Sequence, residues 1–228
     1  MKTVYTGLES SGKTLKMAMK AVEVLERNIK WKEQSGITRP IMANMQFSEE
    51  FHMVAKNNGI PVHIFQHTYE FPMMRNCDIF IDEIGTYFDS RLWADLPLDV
   101  RRWTAQSTKL GCEIYGAAQD FAQVDLSFRR LVNNLFLIQK IAGSRRPSAT
   151  KPPVKHIWGL CLAWQLDPRN YEEDNKKVIE FIPNAFFIEK KYCGIFNTLQ
   201  EIAMSDAPPL RKIVRVCPED GYTKVKYV

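Results

Sequence analysis

Residues 7–14 read Gly7-Leu8-Glu9-Ser10-Ser11-Gly12-Lys13-Thr14, a complete G-x-x-x-x-G-K-[ST] loop placed directly after the apolar stretch Val4-Tyr5-Thr6. A loop of this pattern turns its backbone N–H groups inward around a polyphosphate. Its lysine reaches the β- and γ-phosphates, and its Ser/Thr hydroxyl holds Mg²⁺. All eight residues are therefore expected to bind nucleotide, with ATP and Mg²⁺ as ligand and cofactor. The geometry needs a strand to deliver the loop and a helix to receive it. Residues 1–6 are too few for a helix, and Val4 and Tyr5 suit a buried strand. From Thr14, the apolar residues Leu15, Ala18, Met19, Val22, Leu25 and Ile29 recur at i, i+3, i+4 and i+7. This predicts an amphipathic helix of about four or five turns with those six on one face. Its unpaired N–H groups and dipole would face the phosphates.

The second piece is Cys77-Asp78-Ile79-Phe80-Ile81-Asp82-Glu83. Three apolar residues running into two carboxylates fit a buried parallel strand with acids at its C-terminal edge, where ligands bind in open α/β sheets. There Asp82 can hold Mg²⁺ together with Thr14, and Glu83 can orient or deprotonate a water aimed at the γ-phosphate. Alone, Asp82-Glu83 would equally suit a strand end meeting solvent; the loop at 7–14 decides between the two. A water-activating carboxylate favours hydrolysis over transfer to a small acceptor.

Loop and acids together imply an α/β P-loop NTPase fold of the ASCE/RecA-like kind, a mostly parallel sheet flanked by helices, with a small β-rich C-terminal elaboration. The 228 residues are expected to divide into an ATPase domain at 1–202 and a basic C-terminal arm at 203–228. The first part would include a basic loop at 142–153 and a β-hairpin within 154–183. Five scattered cysteines without a C-x-x-C spacing fit free thiols in a reducing cytosol and give no zinc site. His63 and His67 lack partner ligands at suitable spacing and read as structural or surface residues. No secretory signal is expected, since the N-terminus runs straight into the loop. The uncharged run at 156–166 is too short to cross a bilayer, which takes about 20 residues.

The net charge of +5 is unevenly spread. No acid occurs between Asp125 and Asp167, while Arg129, Arg130, Lys140, Arg145, Arg146, Lys151 and Lys155 all do. Residues 142–153, punctuated by Gly, Ser and Pro, read as an exposed basic loop. On a nucleotide hydrolase such a loop fits a nucleic-acid backbone contact through Arg145, Arg146, Lys151 and Lys155, with salt-dependent binding; a merely solvated loop is the competing reading.

Elsewhere, residues 40–44 read as a short strand and 60–65 as an extended lead-in to the acid-bearing strand. A helix is expected over 97–110, ended by Gly111, then an apolar strand over 112–118 with Gln119 at its edge. Residues 126–134 suggest a short basic helix, followed by a strand over 135–138. Two strand-like runs, 157–166 and 178–182, surround the turn-rich acidic patch 167–174. Tyr87, Phe88 and Trp93 fit packing better than stacking on bases.

The order of parts resembles the FtsK–HerA superfamily of DNA-pumping ATPases. It is most similar to the zonula-occludens-toxin-like ATPases of filamentous phages and to viral genome-packaging ATPases. The resemblance is carried by Ala118-Gln119-Asp120-Phe121, by Val124-Asp125-Leu126-Ser127-Phe128-Arg129-Arg130-Leu131, and later by Tyr192-Cys193-Gly194-Ile195-Phe196-Asn197-Thr198. It implies that Gln119 senses the nucleotide's γ-phosphate. It also implies a homo-oligomeric ring in which an arginine from one subunit completes its neighbour's site. Family members often carry an arginine where this chain has Thr108. That leaves Arg129, Arg130, Arg101 and Arg102 as candidates, in that order; lysine lacks the planar fork. The resemblance further implies DNA as partner. With no membrane anchor in the sequence, pumping DNA into a preformed shell fits better than extrusion. Capsid or portal-vertex proteins would then be partners, and the location would be the host cytoplasm or the virion. Extrusion with a membrane partner remains the alternative. A GTPase-type switch fits the D-x-x-G reading of Asp82-Glu83-Ile84-Gly85, but no N-K-x-D motif follows residue 100.

Overall fold

All five residues of the strand preceding the loop are buried, as happens only inside a sheet covered on both faces. The computed structural model describes residues 1–92, 95–143, 159–169, 171, 182–188, 192, 195, 213–216 and 224–227. In chain order the elements are β1 (Lys2–Thr6), α1 (Lys13–Ser35), β2 (Ile41–Ala43), α2 (Glu49–Asn57), β3 (Val62–Ile64), β4 (Asp78–Ile81), α3 (Ile84–Tyr87) and α4 (Leu98–Gln106). They continue with β5 (Glu113–Ala118), α5 (Leu126–Arg129), β6 (Asn134–Gly143), β7 (Gly159–Leu166), β8 (Asn184–Phe187), β9 (Ile213–Val216) and β10 (Lys224–Tyr227).

Eight strands form one sheet in the order β3-β2-β4-β5-β1-β6-β7-β8, and β9 and β10 form a separate antiparallel pair. From β3 to β6 every pairing is parallel; β7 and β8 join antiparallel. This is an α/β P-loop fold with a β-rich C-terminal side. Strand β5 lies between β1 and β4, and the registers Thr6↔Ala118 and Ile81↔Gly116 bring the three strand ends to one edge. The loop after β1, Gln119 after β5 and the acids after β4 therefore emerge side by side.

Two apolar layers cover the sheet. On one face Val4, Ile79, Ile81 and Ile114 meet a set of rings, in which Phe71 stacks on Trp103 (5.1 Å) and Phe88 stacks on Phe128 (4.5 Å). Phe88 is thus core, and the half-buried Tyr87 packs edge-on against Phe65 (5.9 Å); Trp93 lies outside the described residues. On the other face Tyr5, Phe80, Tyr115 and Ala117 pack against α1. That helix runs 23 residues, longer than its expected span, because nothing breaks it before Gly36, whose left-handed φ of 71° caps it onto the Lys32 carbonyl. Its buried face also differs. Met17, Ala18, Ala21, Val24, Leu25 and Asn28 are buried, whereas Leu15, Met19, Val22 and Ile29 are half-buried on the flank. The phase is fixed at both ends: the loop pins Lys13, and Asn28 turns inward to reach Asp78.

Other differences are local. α4 stops at Gln106, and the chain reaches the left-handed Gly111 (φ 73°) through a turn. α5 is a single turn, capped by Asp125 accepting from the Ser127 N–H at 2.6 Å. α2 has no counterpart in the sequence reading; Ser48 caps it by accepting from the Phe51 N–H at 3.2 Å. His63 is exposed on β3, and His67 stacks on Tyr69 (4.8 Å). β6 runs on to Gly143, beyond Leu137, which is in register with Thr6, and β7 pairs back along it from Gly143↔Gly159 to Leu135↔Leu166. Residues 144–158 and 172–181 lie outside the described residues. Among the described residues, no helix is long and apolar enough to cross a membrane.

At the opposite edge of the sheet, away from the loop, the fully buried Asp78 carboxylate accepts from Arg27 (2.7 Å), Arg39 (2.8 Å) and Asn28 (2.8 Å). Arg27 also pairs with Glu113 (2.8 Å), which accepts from Tyr115 at 2.6 Å. Burial pushes the Glu113 carboxyl upward, but the hydrogen bonds from Tyr115 and Arg27 outweigh it and hold its pKa down to about 2. This network ties α1 to β4 and β5. Removing the acid would strand the mostly buried Arg39, while the more exposed Arg27 keeps Glu113, and breaking a buried pair costs about 3–5 kcal/mol. We expect Asp78→Ala to lower the urea midpoint by the equivalent of at least about 3 kcal/mol, while Arg91→Ala, at the exposed Arg91–Asp89 pair, leaves it unchanged.

Candidate active site

β1 delivers the loop with positive φ at Gly7 (147°), Ser10 (60°) and Gly12 (101°), so successive N–H groups turn toward its hollow. A Cβ at Gly7 would collide with the Ile138 carbonyl oxygen of β6, and one at Gly12 would lie 3.1 Å from the Cys161 sulfur of β7. These two strands form the wall behind the loop; the Cys161 thiol also donates to the Ser11 carbonyl at 3.6 Å. Gly12 is the N-cap of α1 and offers no side chain to its first turn, which contains no acid. The helix N-terminus is left ready for an anion. Ser11 Oγ is buried without a hydrogen-bond partner, as is Thr6 Oγ1. A phosphate oxygen in the hollow fits such an orphaned hydroxyl.

Lys13 curls back over the loop, its Nζ donating to the carbonyls of Gly7 (2.8 Å) and Leu8 (2.9 Å). Burial lowers its pKa, against the upward pull of the Glu83, Asp82 and Glu9 charges. Lys13 and the acid pair thus share one electrostatic site. Thr14 follows in the first turn of α1, half-buried, and Leu8, Glu9 and Ser10 form the exposed crest of the loop.

The acids are held by an unusual backbone. Glu83 is left-handed (φ 50°, ψ 56°), a conformation that costs a non-glycine residue about 1 kcal/mol or more and persists only where its surroundings enforce it. Here Thr86 donates to the Glu83 carbonyl through both N–H and Oγ1, each at 2.8 Å. Ahead of it, Asn44 at the end of β2 grips the Asp82 main chain. Its Oδ1 accepts from the Asp82 N–H at 2.7 Å, and its Nδ2 donates to the Asp82 carbonyl at 2.8 Å. Gln119 Nε2 donates to Glu83 Oε1 at 3.2 Å from the other side. The Asp82 carboxylate has one close donor, the Glu83 N–H at 3.2 Å. Burial, then the charge on Glu83, pushes its pKa up to about 6, partly opposed by that N–H and by Lys13. A carboxylate so poorly neutralised fits a cation ligand. Among the described residues, no group of three or more His, Cys, Asp or Glu side chains could hold a metal ion.

The structure thus brings together Lys13, Asp82, Glu83 and Gln119. It does not bring the candidate arginines to them: no described hydrogen bond or ion pair joins Arg129, Arg130, Arg101 or Arg102 to Lys13, Asp82 or Glu83, and the Nε atoms of Arg101 and Arg129 are buried without a partner. Arg145, Arg146, Lys151 and Lys155 lie outside the described residues. Asn44 was missed by the sequence reading. The available signal was an amide at the C-terminal end of a short strand, the feature that singled out Gln119.

No protein-family model matches the chain, and no curated protein does. Solved structures do. The N-terminal domain of zonular occludens toxin from Neisseria meningitidis is similar over 86% of this chain and 97% of its own, at 15% identity and a TM-score of 0.52. The DNA-packaging ATPase B204 from Sulfolobus turreted icosahedral virus matches 72% of this chain and 91% of its own, at 11% identity and a TM-score of 0.45. FlaH, a flagellar accessory protein from Methanocaldococcus jannaschii, matches 80% and 85%, at 12% identity and a TM-score of 0.42. The fold and the loop make this chain a P-loop protein of α/β architecture. Its structural neighbours include both groups that the sequence resembles, and at these identities the likeness is one of fold.

The raised pKa of Asp82 has a sign. Between the unfolded carboxyl value of about 4 and about 6, the folded chain holds the extra proton, so ionising Asp82 costs stability as pH rises through that window. We expect Asp82→Asn to raise the melting temperature of the nucleotide-free protein at pH 7.5, with the gain vanishing near pH 4, as read by thermal denaturation across pH.

Proposed function

We propose that the chain is an ATP-hydrolysing nucleic-acid translocase that acts as a homo-oligomeric ring and packages a viral genome. The observation that carries this reading is the meeting of the loop, Asp82, Glu83 and Gln119 at one sheet edge, with Lys13 feeling the charges of both acids. In it, Gly7 to Thr14 would bind the phosphates, with Lys13 leaving the Gly7 and Leu8 carbonyls for phosphate oxygens. Thr14 and Asp82 would hold Mg²⁺, which when bound neutralises charge on the phosphates. Glu83 would take the proton of an attacking water. Gln119, already bonded to Glu83, would sense whether a γ-phosphate occupies the space beside them.

The basic stretch supports the nucleic-acid part of the reading. Residues 144–158 connect β6 and β7, the strands that wall the loop at Gly7 and Gly12. Arg145, Arg146, Lys151 and Lys155 would contact the DNA backbone from there. An arginine supplied by a neighbouring subunit, with Arg129 or Arg130 the first candidates, would complete the site. Capsid or portal-vertex proteins would be partners, in the host cytoplasm or on the virion. The fold shared with the zonular occludens toxin domain favours a second reading, a phage-assembly ATPase brought to the membrane by an anchored partner. Fractionating virions against host membranes separates the two.

Glu83→Gln is expected to bind ATP with near-normal affinity while turnover falls by about 100-fold or more, read by phosphate release; retained turnover removes Glu83 from the mechanism. Comparing ATP with GTP in the same assay separates an ATPase from a GTPase-type switch. Replacing Arg145, Arg146, Lys151 and Lys155 by Ala should abolish DNA stimulation of ATPase activity. It should also flatten the dependence of log K on log salt by about 0.9 for each duplex phosphate that the protein ceases to neutralise.

A further inference from the structure

One buried side chain beside the acids has no part in the mechanism so far. Asn44 follows the last residue of β2, and the register Ala43↔Phe80 places it alongside the end of β4. Its backbone N–H still continues the ladder, donating to the Phe80 carbonyl at 3.2 Å. Beyond that point the strands part, and the side chain takes over. Its amide makes two opposed hydrogen bonds to the Asp82 main chain, at 2.7 and 2.8 Å, in effect one more rung built from a side chain.

That rung sits where the backbone most needs it. Asp82 is followed by the left-handed Glu83, and the turn is gripped on its far side by Thr86. Without Asn44, the N–H and C=O of Asp82 would lose their partners in a half-buried position, and the entry to the strained turn would be free to relax. The requirement is specific. Only a primary amide of this length both donates and accepts in one plane; an aspartate keeps the acceptor and loses the donor, and an alanine loses both.

We propose that Asn44 is a positioning residue for the acid pair, acting through the Asp82 main chain to aim the Asp82 carboxylate and to hold Glu83 in its left-handed conformation. This rests on the hydrolysis reading above. The phosphate loop is held by separate contacts, from β6, β7 and Lys13. Loss of the rung should therefore act on turnover and on the metal requirement and spare nucleotide binding.

The test compares wild type, Asn44→Ala, Asn44→Asp, Glu83→Gln and the double variant Asn44→Ala/Glu83→Gln. Steady-state ATP turnover, equilibrium binding of a non-hydrolysable ATP analogue and the Mg²⁺ concentration for half-maximal rate are measured on each, with melting temperature as a fold control. Both single Asn44 variants should lose at least about tenfold in kcat, bind the analogue within about threefold of wild type and need several-fold more Mg²⁺. At saturating Mg²⁺, where the Asp82 part of its effect is offset, Asn44→Ala should lower the residual turnover of Glu83→Gln less than twofold, because the remaining effect passes through Glu83. A lower melting temperature with kcat unchanged would make Asn44 a purely structural staple and overturn the proposal, as would full additivity in the double variant. If Asn44→Ala does not fold, the near-isosteric Asn44→Asp carries the test alone, and wild-type kcat in it overturns the proposal. A wild-type protein that binds ATP but never hydrolyses it, even with DNA, would instead overturn the hydrolysis reading, and this inference with it.

Discussion

The site depends on one spacing. β5 stands between the strand that carries the phosphate loop and the strand that carries the acids. Neighbouring strands lie about 4.8 Å apart, so the two functional strand ends are about 10 Å apart. That gap is wide enough for phosphates and a metal to sit between loop and carboxylates. Lys13 rests on the Gly7 and Leu8 carbonyls and feels the Asp82 and Glu83 charges through space. The intervening strand also places Gln119 between the two, where one amide reaches Glu83.

β4 shows how stability and function divide along four residues and their neighbour. At its start Asp78 is buried with two arginines and an amide around it, and it ties α1 to the sheet. Just past its end Asp82 is half-buried, its carboxylate accepts from the Glu83 N–H, a second acid stands beside it, and its pKa rises to about 6. Identical side chains thus serve opposite ends. The arginine-bound acid anchors the strand, and that anchoring offsets the poorly neutralised acid and the left-handed glutamate at the other edge.

The features legible in the sequence were those written in contiguous residues. The loop at 7–14, the apolar run into Asp82-Glu83, and Gln119 after an apolar strand each carry their meaning within a few positions, and the structure places all three at one edge. What escaped depends on residues distant in the chain. α1 is turned so that Asn28 reaches Asp78, fifty residues on, and so Leu15, Met19, Val22 and Ile29, singled out by apolar spacing, pack against the core only half-buried. The short α2 hangs on a cap at Ser48 and two buried residues, Phe51 and Ala55, too few to set a clear period. Asn44 looked like the polar end of a minor strand; its role appears only when β2 is known to lie beside β4.

The same logic explains why the far side of the sheet matters to the loop. A phosphate loop needs backbone where side chains cannot go, and here much of the excluded volume comes from β6 and β7, with the loop's own Ser11 hydroxyl adding to it at Gly7. Gly7 faces the Ile138 carbonyl and Gly12 faces the Cys161 sulfur. Cys161 is fully buried and bonded to the Ser11 carbonyl, so the loop is supported by β7, a strand-like run that the sequence placed within the ATPase part without linking it to the loop. These two strands are paired from Leu135↔Leu166 to Gly143↔Gly159, with one register shift between Lys140 and Ala142. The wall of the nucleotide hollow and the root of the basic connection are therefore the same piece of structure.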